Sequence, residues 1–164
     1  MCRIFDNNRG LSLIELVVTM VILSILASLI LPSARMTSTR VKEIELKRTL
    51  RQIRTAIDDY KKIYDRGVEE KKIPVVINKS EGYPETLQLL VDGDDIKGYL
   101  GYKKKFLRRV PSDPFHPVQA GEPAWGVRSS TDEPDSTNSD GHDVFDVYSL
   151  SDRTAIDGTK YKDW

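Results

Sequence analysis

Leu11–Leu31 reads LSLIELVVTMVILSILASLIL; sixteen of its 21 residues are apolar and Glu15 carries its only charge. A helix needs about 20 apolar residues to cross the hydrocarbon core of a bilayer, so the stretch is long enough for one passage. The segment before it, MCRIFDNNRG, sets Arg3 and Arg9 against Asp6. A net positive flank faces the cytoplasm, and the rest of the chain is then expected across the membrane. A secretory signal peptide has a shorter apolar core that ends in a small-residue cleavage pattern. Here the run ends in Leu29-Ile30-Leu31-Pro32, without that pattern. A plain signal anchor stays open as the simpler reading.

Glu15 separates the readings. A carboxylate inside a bilayer is expensive and marks a functional position. Either Glu15 sits near the membrane surface and snorkels, or a cationic partner offsets its desolvation. The serines of the run, Ser12, Ser24 and Ser28, are expected to back-bond to the helix.

Arg9-Gly10-Leu11-Ser12-Leu13-Ile14-Glu15 resembles the class III signal sequence of type IV pilins and type II secretion pseudopilins. In that family a prepilin peptidase of the membrane cuts after the glycine, and the new N-terminal residue is methylated. The resemblance puts the cut between Gly10 and Leu11, makes Leu11 the first residue of the mature chain, and sets Glu15 one helical turn from its amine. Glu15 of an incoming subunit then pairs with the Leu11 amine of its neighbour, an attraction that low dielectric strengthens. An intrachain Leu11–Glu15 pair is the competing arrangement, because i and i+4 share a helix face. Cleavage removes Cys2, the only cysteine, and leaves 23 basic and 24 acidic residues, a net charge of −1.

Beyond the run, Pro32 is expected to kink the helix rather than stop it. Leu46, Leu50, Ile53, Ile57, Tyr60 and Tyr64 follow at steps of four and three, an amphipathic stripe with a period near 3.6. Lys47, Arg48, Arg51, Arg54 and Lys61 mark the other face. A continuous helix from Leu11 to Tyr64 would be about 81 Å long, with Asp65-Arg66-Gly67 ending it. A coiled-coil homodimer is the alternative cover for the stripe, although about three heptads is short for one. Arg35–Lys72 holds 12 basic and 7 acidic residues, read as a solvated face or as an electrostatic contact.

Downstream, Pro84 is expected to start a short helix over Leu87–Val91. The six bases from Lys97 to Arg109 have no acid among them; they form a solvated loop or meet an acidic patch on a neighbouring subunit. Trp125–Ser129 and Asp143–Ser149 read as strands that pair antiparallel across the Ser- and Asp-rich loop between them. Gly82–Val91, Lys103–Phe115 and Asp146-Val147-Tyr148-Ser149-Leu150 are similar to stretches of major pseudopilins. The fold so implied is α+β and type IV pilin-like. A long N-terminal helix, with a membrane half and an amphipathic half, packs on a small antiparallel sheet. Its parts are a leader (1–10), a membrane and polymerisation helix (11–32), an amphipathic half-helix (33–65) and a periplasmic head with an acidic C-terminal loop (66–164).

Asp132–Trp164 holds nine acids and three bases. Asp152 and Asp157-Gly158 offer carboxylates around a tight turn, which suits a hard cation; Asp-Gly is equally a plain turn signal. Major pseudopilins carry a calcium site in this loop, and the resemblance implies Leu150, Asp152, Asp157 and Asp163 as ligands for Ca2+. The ion would act structurally, because a loop of like charges repels itself until a cation bridges it.

Over the whole chain, 39% hydrophobic and 30% charged residues exclude both a disordered chain and a multi-span membrane protein, and the net charge of zero disfavours a nucleic-acid binder. His116 and His142 have no spacing partner for metal or triad chemistry, so no enzyme activity is expected. The resemblance implies a structural subunit of the type II secretion pseudopilus, a homo-polymer that supports export of folded proteins. Its other partners are the prepilin peptidase, minor pseudopilins and the inner-membrane secretion platform. The N-terminus would be cytoplasmic, and the head periplasmic on a single inner-membrane pass. A type IV pilus subunit for adhesion or twitching is the alternative, and a single-span periplasmic sensor a third.

Overall fold

The computed structural model describes Gly10 and residues 12–74, 82–117, 121–134, 136, 137, 139 and 141–164; for residues 29–35 it describes the backbone only. Contacts divide the chain into two units, Met1–Arg40 and Val41–Trp164. Helix α1 (Leu13–Glu69, 57 residues) contributes to both.

In the first unit, Ser12 begins α1. Its Oγ accepts the Glu15 N–H at 3.2 Å and its carbonyl accepts the Leu16 N–H at 3.2 Å. Ser12 is thus an N-cap with an acid three residues on, the sequence pattern of a capping box. The expectation that it back-bonds is corrected, because a serine ahead of the first turn meets unpaired N–H groups rather than carbonyls. Ser24 and Ser28 do back-bond, to the carbonyls of Met20 and Ile25, each at 2.8 Å. Pro32 lies inside α1 and does not end it. The large apolar side chains from Leu13 to Leu26 are 46–83% exposed. Among the described residues no helix is long and apolar enough to cross a membrane. Leu11 and the side chains of residues 29–32, which belong to the expected 11–32 span, lie outside the described residues.

In the second unit the expected stripe is the core. Leu46, Leu50, Ile53, Ile57, Tyr60 and Tyr64 are all buried, joined by Ala56. The helix runs through Asp65-Arg66-Gly67, where a stop was expected, and ends at Glu69. Gly67 is needed for contact rather than for termination, since a Cβ there would stand 2.6 Å from Ile73 Cδ1. The Gly67 carbonyl accepts the N–H groups of Lys72 and Ile73, while Lys71 turns left-handed at φ 56° and donates to Val68 O. This 6→1 and 5→2 pairing is a Schellman close.

Helix α2 (Leu87–Asp92) starts later than Pro84. Thr86 caps it, its Oγ1 accepting from Leu89 N–H at 3.3 Å. Pro84 is instead buried, and its carbonyl accepts the Val144 N–H at 2.8 Å. Strands β1 (Gly126–Arg128) and β2 (Asp146–Tyr148) pair antiparallel, with Gly126 opposite Tyr148 and Arg128 opposite Asp146. They are shorter than expected because Ser129 and Asp143 leave the ladder for a side-chain network. The Asp143 carboxylate accepts from Ser129 Oγ, from the Ser130 N–H at 3.0 Å and from Ser130 Oγ at 2.7 Å. The result is the expected α+β fold, with the apolar face of the second part of the helix covered by a small sheet and its connecting loops.

Gly126 faces the Tyr148 ring so closely that a methyl group at its Cα would overlap the ring. An aromatic ring laid over a cross-strand glycine fills the space that a side chain would occupy. Gly126→Ala should therefore lower stability by about 1–3 kcal/mol. The buried Trp125, 2% exposed, reports this by fluorescence in a denaturant titration.

Candidate functional site

Gly10 is exposed, and a Cβ placed there would meet nothing within 4 Å. Among the described residues Gly10 thus stands clear of neighbours, two residues ahead of the capping Ser12. Glu15 is exposed in the first turn of α1, and its carboxylate takes part in no hydrogen bond or ion pair among the described residues. Acids in a first turn are favoured by the helix dipole. Leu11, the expected new N-terminus, lies outside the described residues. Gly10 and Glu15 thus occupy the same helix start, separated by the capping serine.

The tail is ordered by its own contacts. Tyr161 is 1% exposed and stacks on Phe115 at 4.1 Å between ring centroids, and Trp164 meets Tyr161 edge-on at 5.1 Å. Glu43 Oε1 accepts the Tyr161 hydroxyl at 3.0 Å and the Ile156 N–H at 2.8 Å. Burial, with the Glu43 carboxylate, pushes the Tyr161 phenol up to about 12. Arg54 reaches from α1 to Asp146 at 2.6 Å and to the carbonyls of Val147 and Trp164, while Arg128 approaches Asp146 at 3.4 Å. A buried Asp113, 3% exposed, accepts from the Phe115 N–H at 2.7 Å and from Ser149 Oγ.

The four residues expected around a cation are distributed differently. Asp157 Oδ1 accepts the Thr159 N–H at 3.0 Å and the Thr159 hydroxyl at 2.6 Å, and the same hydroxyl oxygen accepts from Trp164 Nε1 at 2.6 Å. Asp152 and Asp163 are exposed, and Leu150 is half-buried. Among the described residues no three His, Cys, Asp or Glu side chains are grouped to hold a metal ion. The segment Thr154–Lys160 closes instead as a turn. Ala155 N–H donates to Thr159 O at 2.8 Å, and Gly158 at φ +88° donates to Ala155 O at 3.0 Å.

Sequence reasoning missed the tail's place in the core. The signal was the aromatic pair Tyr161 and Trp164 inside a charged segment, since aromatic side chains bury large areas wherever they find a partner.

Residues 6–31 match the model of the prokaryotic N-terminal methylation motif. No curated protein and no solved structure matches the chain. The match covers 26 of the 164 residues and supports a type IV pilin-like N-terminus, the kind that a prepilin peptidase processes.

Hydrogen bonds from Thr159 hold the Asp157 carboxyl below its ordinary value. A depressed acid contributes stability above the ordinary pKa, and that contribution is lost as pH falls through the depressed one. The Asp157 carboxyl should therefore titrate below 3.8 by NMR. In Thr159→Val, which keeps the N–H but not the hydroxyl, the midpoint should rise.

Proposed function

We propose that this chain is the major pseudopilin of a type II secretion system, polymerising through its N-terminal helix to support export of folded proteins across the outer membrane. The observation that carries the reading is the methylation-motif match over residues 6–31 with Glu15 in the first turn of an apolar helix. The residue sets of the head support the finer choice: the Lys103–Phe115 stretch and the Asp146–Leu150 strand resemble those of major pseudopilins. Its cysteine content supports that choice as well. Many type IV pilins staple their C-terminal loop with a disulfide, whereas this chain has Cys2 alone. Aromatic stacking on Phe115 and the Arg54 and Glu43 contacts fasten the tail here.

In this reading the first unit enters the inner membrane and the second stands in the periplasm. The peptidase cuts after Gly10, and the freed Leu11 amine meets the Glu15 carboxylate of an adjoining copy. In an apolar medium that pair specifies register, because a one-turn slip leaves both charges alone.

A structural calcium ion at the tail is a separate proposal that rests on the resemblance. The residues present do not gather around a cation: Asp157 is engaged by Thr159, so an ion would have to displace those hydrogen bonds. Any ion that binds only the folded state raises its melting temperature. A melt of the full chain in calcium and in chelator tests it; a rise with calcium supports the ion, and superimposed curves remove it.

The intact mass of protein extracted from membranes should show loss of residues 1–10 and gain of one methyl group. Glu15→Gln keeps the polar N3 position, so it should be cleaved and methylated normally yet fail to assemble filaments. Deletion of the gene should abolish export of folded substrates and leave surface fibres unchanged. A mass that retains Met1, or Glu15→Gln filaments in normal yield, refutes the reading.

A further inference from the structure

On the exposed face of α1, Arg48, Arg51 and Thr55 lie one turn apart, and the segment Phe106–Pro111 runs alongside them. Together they line an open groove of about 720 Å3. Arg108 and Arg109 enter it from the segment. The segment is anchored by its own backbone, because the N–H groups of Phe106 and Leu107 both donate to Leu90 O at 2.9 Å. Phe106 is also pinned against the Tyr60 ring at 5.4 Å. The groove is therefore a fixed surface rather than a loose loop.

The guanidinium groups of Arg48, Arg51, Arg108 and Arg109 are exposed, and none makes a hydrogen bond or ion pair among the described residues. Asp59 is the single acid in the lining. Two arginines of this unit are engaged within the chain: Arg54 serves Asp146 and two carbonyls, and Arg128 serves Asp146 and Ser136 O. Four like charges held in one groove repel one another, and the planar guanidinium fork is shaped to accept carboxylates in pairs.

We infer that this four-arginine groove is an assembly contact that receives the acid-rich C-terminal surface of a second copy of the chain. The inference rests on the polymerising reading given above. The argument for a second copy is charge complementarity within one sequence. The chain has 25 basic and 25 acidic residues, with six bases and no acid over Lys97–Arg109, and nine acids against three bases over Asp132–Trp164. Glu133 and Asp152 of the acidic region are exposed, and their carboxylates have no partner among the described residues. The groove and the acidic C-terminal region are different parts of the chain, so a contact between them is heterologous. Contacts of that kind propagate into open helical arrays instead of closing as dimers. Complementary charge of this sort sets register and the rate of encounter.

The test uses the full chain expressed in cells, with filament yield read after shearing and as the salt dependence of cross-linked multimers. R108E/R109E should lower the yield about tenfold, and E133K/D152K should do the same. The combined reversal on one chain should restore yield to within about threefold of the parent. R108K/R109K, which keeps the charge but not the fork, should assemble better than R108E/R109E and no better than the parent; a yield as low as that of R108E/R109E overturns the charge argument. Cellular accumulation and cleavage after Gly10 should be equal for all variants, which separates assembly from folding. Parent-like yield from R108E/R109E overturns the inference and leaves the polymerising reading intact. Two separate losses with no restoration in the combined variant also overturn it, because the groove then serves another anion. A parent chain that forms no filaments removes both.

Discussion

An apolar stripe on a helix is stable in water only where something covers it, and α1 meets that constraint in two ways. From Leu46 to Tyr64 the stripe is covered by the rest of the second unit, and every residue expected on it is buried. From Leu13 to Leu26 apolar side chains surround the helix and all stay exposed within the single chain. A helix that is apolar all round has its cover supplied from outside, by lipid or by other helices. The boundary between the two units at Arg40 and Val41 falls in the stretch between the apolar run, which ends at Leu31, and the stripe, which begins at Leu46.

The two stretches were legible in different ways, the first from the length of its apolar run and the second from its 3.6-residue period. The two strands were legible too, including their antiparallel pairing. What periodicity does not record is local competition for hydrogen bonds. Ser12 looked like the serines after it, yet as an N-cap it meets free N–H groups where Ser24 and Ser28 meet carbonyls. Gly67 looked like a helix stop, but its missing side chain makes room for Ile73, and the chain turns four residues later at Lys71. Pro84 looked like a helix start, whereas Thr86 supplies the cap and Pro84 is buried. In each case residue type was read correctly, and the partner that decides its role was non-local or one turn away.

Part of the charge of the acidic tail is engaged within the chain, and part is free among the described residues. Nine acids in the last 33 residues suggested self-repulsion relieved by a cation. Yet Asp143 is held by Ser129 and Ser130, Asp146 lies between Arg54 and Arg128, and Asp157 is satisfied by Thr159. Carboxylates that accept several hydrogen bonds keep their charge without an added ion. Removing one partner from such a pair leaves a half-buried charge, which costs far more than the intact pair contributes. The tail thus depends on α1 through Arg54 and Glu43. These contacts join distant parts of the chain in its folded state, where a single cysteine leaves no intrachain disulfide to do so.

Glu15 poses the remaining energetic question. As the third residue of a capped helix it stands where the dipole favours an acid. A dipole contact of this kind contributes about 0.3–1 kcal/mol, whereas a charged side chain at the centre of a bilayer costs about 2.5–3.5 kcal/mol on insertion scales. The helix start alone therefore does not account for a carboxylate carried into lipid. Near the membrane surface the cost falls and the dipole is enough; deeper in, a counter-charge is required. In the proposed reading, a newly cut amine on an adjoining chain is such a counter-charge. It exists only after cleavage, so an unprocessed copy offers its neighbour no partner. The order of events, first cutting and then stacking, would follow from electrostatics at a single acid.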